Sequence, residues 1–216
     1  MGEVIGSVLP LAVAVAVSPV PIIGVILMLL GRHARTTSVG FAFGWVVGIV
    51  AATSVFVVVG EVARAGATAI AWIQVVLGVA LFGEGVRQWL RRRTSEGIPA
   101  WLSAVDGMRP PSAAALGLGL AAVNPKNLLL CIAAGVLVGG AEVPAGSTAA
   151  AIAIFAAIAS SSVVIPVIAY QIFTESISGL LRHVEKWLEN NAAAVLATLI
   201  LIIGVVLIGN GIAELA

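Results

Sequence analysis

Six long apolar runs govern what this chain can become. They span Glu3 to Leu30, Thr37 to Val59, Gly66 to Leu90, Ser112 to Val138, Gly146 to Phe173 and Asn191 to Ile212. Each is long enough to cross a bilayer core, for which about 20 helical residues suffice. The chain is 61% hydrophobic and 10% charged, whereas a soluble domain carries roughly 25% charge. Its apolar surface must therefore face lipid. Backbone groups in lipid need internal hydrogen-bond partners, which a helix supplies. Strands of a barrel would alternate polar and apolar residues, and these runs do not. The expected fold is an all-α membrane protein with six transmembrane helices.

Two of the runs are interrupted in the same way. The first contains Ala16-Val17-Ser18-Pro19-Val20-Pro21, the fourth Ala122-Val123-Asn124-Pro125-Lys126-Asn127. Proline removes a backbone donor and clashes with the carbonyl one turn earlier, and it pushes its predecessor out of helical geometry. Ser18 and Asn124 stand at those weak points. An ordinary kink explains one such proline; two matched motifs, one carrying a lysine, favour a binding site. Lys126 lies near the centre of its run, where a charge costs about 3 kcal/mol or more. Snorkelling to the interface is difficult from there. The runs show no carboxylate at its depth, and Glu84 falls near the far end of the third helix. An anionic ligand, an aqueous cavity or partial deprotonation would each relieve the lysine.

The basic residues predict orientation. Arg32, Arg35, Arg87, Arg91, Arg92, Arg93, Arg109, Arg182 and Lys186 fall on one side of the alternating runs and Arg64 alone on the other. By the positive-inside rule both termini face out of the cytoplasm. The only charge before Arg32 is Glu3, so the positive start of a signal peptide is lacking. A linker over residues 91–111 separates a first three-helix unit, residues 1–90, from a second, residues 112–216. Three is odd, so the second enters the membrane from the opposite side, and the units are expected to be inverted repeats. Broken helices in inverted repeats are an arrangement of secondary transporters. Within the second unit, residues 175–190 place Ile177, Leu180, Leu181, Val184, Trp187 and Leu188 on one face. They read as an interfacial amphipathic helix or a connector packed on the bundle.

Other polar residues at depth are Thr53 and Ser54 in the second helix and Ser160, Ser161 and Ser162 in the fifth. They either line a path or bond to their own helix backbone. Pro166, just beyond, could form a hinge. Gly40, Gly44 and Gly48, and again Gly135 and Gly139, recur every four residues, the spacing that lets membrane helices approach closely. Packing within the bundle is the first reading and a homodimer contact the second. Trp72, Trp89, Trp101 and Trp187 fall near predicted interfaces, and Cys131 cannot form an intrachain disulfide. The chain shows no HExxH, Walker A or CxxC motif, so no enzyme, cofactor or metal site is expected. No nucleic-acid partner is expected either.

The six-helix plan, Ser18-Pro19-Val20-Pro21 and Asn124-Pro125-Lys126-Asn127 resemble the lysine-exporter (LysE) superfamily. The likeness is greatest to its GAP branch, the peptidoglycolipid-addressing proteins of mycobacteria and other actinobacteria. The Ala- and Val-rich composition with an Arg-rich central loop suits such a source. The resemblance covers nearly the whole chain. It implies a plasma (inner) membrane exporter of cell-envelope glycolipid or peptidoglycolipid, working by alternating access around a midplane site. Ser18, Pro19, Pro21, Asn124, Pro125, Lys126 and Asn127 would form that site. Its partners would be membrane lipids, an amphipathic and anionic cargo, and a larger lipid-export machinery. The superfamily also exports amino acids and metal ions; the lack of buried acids and histidines argues against the metal branch. Export of a small polar metabolite, or a non-transporting adaptor role, are the alternative functions.

Overall fold

A computed structural model describes residues 2–64, 66, 68–91, 108–173 and 178–215; for residues 91, 178–193 and 195 only their place in a helix is described. The described residues are helical between short connections. The helices are α1 (Gly2–Ala16), α2 (Pro19–Leu30), α3 (Ala34–Ala63), α4 (Ala69–Arg91), α5 (Pro110–Ala122), α6 (Pro125–Gly140), α7 (Ala145–Ile172) and α8 (Ser178–Leu215). Among them α3, α4, α7 and the Leu196–Leu215 part of α8 are each long and apolar enough to cross a membrane. The remaining four form two bent pairs, α1 with α2 at 50° and α5 with α6 at 63°. The chain is an all-α, multi-pass membrane protein. Both bends fall at the expected prolines.

The boundaries follow from local chemistry. Pro19 and Pro125 open α2 and α6 at the first helical positions, where a missing N–H costs nothing. Pro110 opens α5 likewise. Pro166 lies inside α7, which continues through it from Ala145 to Ile172; neighbouring helices let membrane spans tolerate such a residue. The amphipathic stretch and the sixth apolar run both fall within α8. The side chains that would form the amphipathic face lie outside those described.

Packing runs mostly between early and late parts of the chain. α4 lies along α8, α3 along α5 and α6, and α1 along α7. A Cβ at Gly40 would sit 2.6 Å from the Pro110 carbonyl oxygen, and one at Gly60 2.7 Å from that of Val136. So α3 runs parallel to the broken α5–α6 span, backbone against backbone. Gly44 meets Ala114, Gly117 meets Phe41 and Gly139 meets Val57 just as closely. The four-residue glycine spacing is therefore used inside the chain. α4 and α8 cross through Gly78, Gly85, Gly204 and Gly211 and run antiparallel, since Gly211 meets Ala71 while Gly85 meets Leu201.

These registers sort the charges by end. The start of α3, the start of α5 and the end of α7 share one end, where Gln171 Nε2 donates to the Arg35 carbonyl at 2.9 Å. That end carries Arg32, Arg35, Arg87 and Arg109. The opposite end holds Glu61, Glu142 and Glu214 with Arg64, whose guanidinium donates to the Ala141 carbonyl at 3.2 Å.

Candidate functional site

The two breaks share one backbone geometry. Ser18 has φ −60° and ψ 119°, and Asn124 has φ −63° and ψ 117°. Each is an extended residue between two helices, as the following proline requires. α1 ends at the first break and α6 begins at the second, and these two helices pack together.

Side chains complete the second break. In an unbroken helix the Leu120 carbonyl would accept from the Asn124 N–H. Here Asn124 has left the helix, and the Asn127 side-chain amide donates to Leu120 O instead, at 3.2 Å. The Asn124 carbonyl side chain accepts from the Lys126 N–H at 3.2 Å, satisfying one orphan donor of the α6 start. At the first break Ser18 is buried but makes no capping hydrogen bond. Its own N–H bonds to Val15 O at 3.0 Å. Pro21 stands where Asn127 does and has no side-chain donor.

Lys126 is half-buried at the start of α6, near the middle of the broken span. Among the described residues its ammonium makes no ion pair or hydrogen bond. Its acidic neighbourhood differs from the sequence expectation. α3 runs parallel to α6, and α4, which follows α3, starts with the Ile70 side chain against Gly140 at the end of α6, so α4 runs back toward the start of α6. Glu84, near the end of α4, is thereby set at the level of Lys126. A carboxylate placed near a helix end by counting along α4 alone is thus brought toward the break by the register of two helices.

The remaining expected residues divide. Ser161 Oγ donates to its own helix at Ile158 O, 2.7 Å away, the local bond that hydroxyls make in membrane helices. Ser54 and Ser162 are half-buried. Thr53 and Ser160 are buried; the Thr53 hydroxyl has the Cys131 thiol beside it, and that of Ser160 lacks a hydrogen-bond partner among the described residues. The Asn127 carbonyl oxygen and the Trp45 indole N–H are buried and, among the described residues, unpartnered. Such groups are uncommon in native proteins. Thr53 lies where α3 meets α6, its carbonyl 2.7 Å from where a Gly135 Cβ would be. Trp45 escaped the sequence reading. Its signal was its place deep in a span, away from the interfaces where tryptophan gathers; Trp72 and Trp89 do sit more exposed. Among the described residues no three His, Cys, Asp or Glu side chains gather as metal ligands do.

An apolar groove of about 310 Å³ opens between α4 and α8, lined by Val86, Trp89, Leu90, Thr198, Leu201 and Ile202. Together the helices, the paired breaks and the half-buried lysine define a multi-pass membrane protein with polar groups held inside an apolar bundle. The chain belongs to the family described as Sap, sulfolipid-1-addressing protein, whose family model matches residues 8–213. This is a lipid-addressing family, in keeping with the GAP-like resemblance of the motifs. No curated protein and no solved structure matches the chain.

Proposed function

We propose that this protein exports an anionic cell-envelope glycolipid, of the sulfolipid kind, by alternating access around the two breaks. The observation that carries the reading is Lys126, a cation without an ion-pair partner among the described residues, at the start of a broken helix. A sulfate ester or carboxylate headgroup would give it a charge-assisted partner. Helix starts also favour anions, and Asn124 and Asn127 stand beside it. Ser18, Pro19, Pro21 and Pro125 would set the backbone of the site. Thr53, Ser54, Ser160, Ser161 and Ser162 would offer hydroxyls along the path.

The inverted-repeat reading has support in the pairings. Exchanging the first three spans for the last three turns the α1·α7 contact into that of α5–α6 with α3, and returns α4·α8 to itself. A pseudo-twofold relation of this kind underlies many transporters and would place the protein with the LysE superfamily. The apolar groove between α4 and α8 suits a lipid's acyl chain better than a small polar metabolite. With the basic end toward the cytoplasm, both termini would lie outside the plasma membrane.

The test compares surface lipids of a deletion strain complemented with the wild type or with Lys126→Ala. Loss of the same glycolipid class from the deletion and the Lys126→Ala strains, at equal protein level, is the expected result. Full restoration by Lys126→Ala would remove the lysine from the mechanism.

A further inference from the structure

Glu84 is an acid inside an apolar helix, and its only ion pair among the described residues does not account for it. That pair is with Arg87 at 3.3 Å, one turn further along α4. The Arg87 side chain is 60% exposed and that of Glu84 28%. A solvent-facing pair at this spacing contributes little, less than an acid within a span costs.

The register of α4 on α6 supplies a second partner. Ile70 touches Gly140. Glu84 lies fourteen residues on from Ile70, and Lys126 fourteen residues back from Gly140. At about 1.5 Å per residue the two charges reach the same level from that shared contact. Among the described residues the Glu84 carboxylate is not in ion-pair contact with Lys126. One carboxylate is thus paired with Arg87 and stands at the level of Lys126.

We propose that Glu84 is an internal competitor for Lys126 that sets how strongly an anionic lipid headgroup is held there, with Arg87 retaining the carboxylate when a headgroup takes the lysine. This rests on the reading of Lys126 as the headgroup site. The headgroup and Glu84 then contend for one positive charge. A neutral glycolipid gains nothing at Lys126, and a singly charged one gains only what exceeds the hold of Glu84. Glu84 is in this sense a specificity-determining residue, and Arg87 positions it.

The experiment uses the full chain in phosphatidylcholine nanodiscs. A sulfated galactosylceramide and its unsulfated parent are titrated in, and binding is read by native mass spectrometry. With the charge on Glu84 removed, Glu84→Gln should bind the sulfated lipid about tenfold tighter, the order expected for a charge several ångströms away in a partly buried site. Arg87→Gln should bind it more weakly. Lys126→Gln should lose the preference for sulfate, and adding Glu84→Gln to that variant should change nothing more. Unaltered binding by Glu84→Gln, with preference lost in Lys126→Gln, overturns the competitor role and leaves the headgroup site standing. No preference for sulfate in the wild type or any variant overturns both. If Glu84→Gln does not elute as a single species, Glu84→Asp withdraws the charge on a shorter arm. It should bind roughly threefold tighter, and unchanged binding overturns the proposal.

Discussion

The two breaks are one backbone turn finished in two chemistries. Ser18 and Asn124 share their dihedral angles to within a few degrees, so the turn itself needs only a small polar residue before a proline. The side chains around that turn differ. The second break has an amide that caps, an amide that answers the freed Leu120 carbonyl, and a cation. The first has a buried serine without a capping bond and a second proline. Their surroundings differ too. The first break is packed among the buried Ala14, Val15, Ser18 and Ile22, whereas Val123 beside the second is exposed. Shared geometry therefore does not imply shared function: one break carries two amides and a cation and lies partly open, the other is buried and nearly apolar.

Substitutions can break or sharpen that contrast. The largest effect is expected from Gly44→Ala, whose new Cβ would collide with the Ala114 carbonyl. It should cost several kcal/mol and abolish a monodisperse peak in detergent, since close packing of small residues drives association in lipid. Gly6→Ala, in open space, should change the stability measured by thermal unfolding by no more than about 0.5 kcal/mol. Val20→Lys next copies the charge of Lys126 into the first break; without an acid to answer it, the cost should approach about 3 kcal/mol, visible as reduced membrane insertion. Asn127→Leu should then destabilise by about 1–3 kcal/mol through the unpaired Leu120 carbonyl, read by thermal unfolding. Smallest is the comparison of caps: Asn124→Ala should cost about 1 kcal/mol, and Ser18→Ala, which loses no capping bond, less than half of that. Equal costs for these two would show that the breaks are chemically alike after all.

Much of the fold could be read directly from residue order. Apolar length located the spans, and proline located both breaks, because each acts locally along the chain. The partners of the glycines could not be read, since spacing tells that a helix has a smooth face and not which helix fills it. The same blindness hid the relation of Glu84 to Lys126, which depends on where α4 crosses α6. Hydroxyl roles divided for a similar reason: Ser161 bonds within its own turn, while what Thr53 and Ser160 meet depends on what other helices bring near them, Cys131 of α6 in the case of Thr53. Trp45 looked like one more apolar residue until its indole N–H was found buried without a partner among the described residues.

The pairing of α4 with α8 also bears on how the protein is made. α4 is threaded into the membrane before α5, α6 and α7, but the glycine face that receives it belongs to α8, which leaves the ribosome after them. Until α8 arrives, α4 must wait with a smooth, unmatched surface turned toward lipid. A chain stopped after α7 would keep that surface permanently, and the cell's membrane quality control would have a clear mark by which to find it.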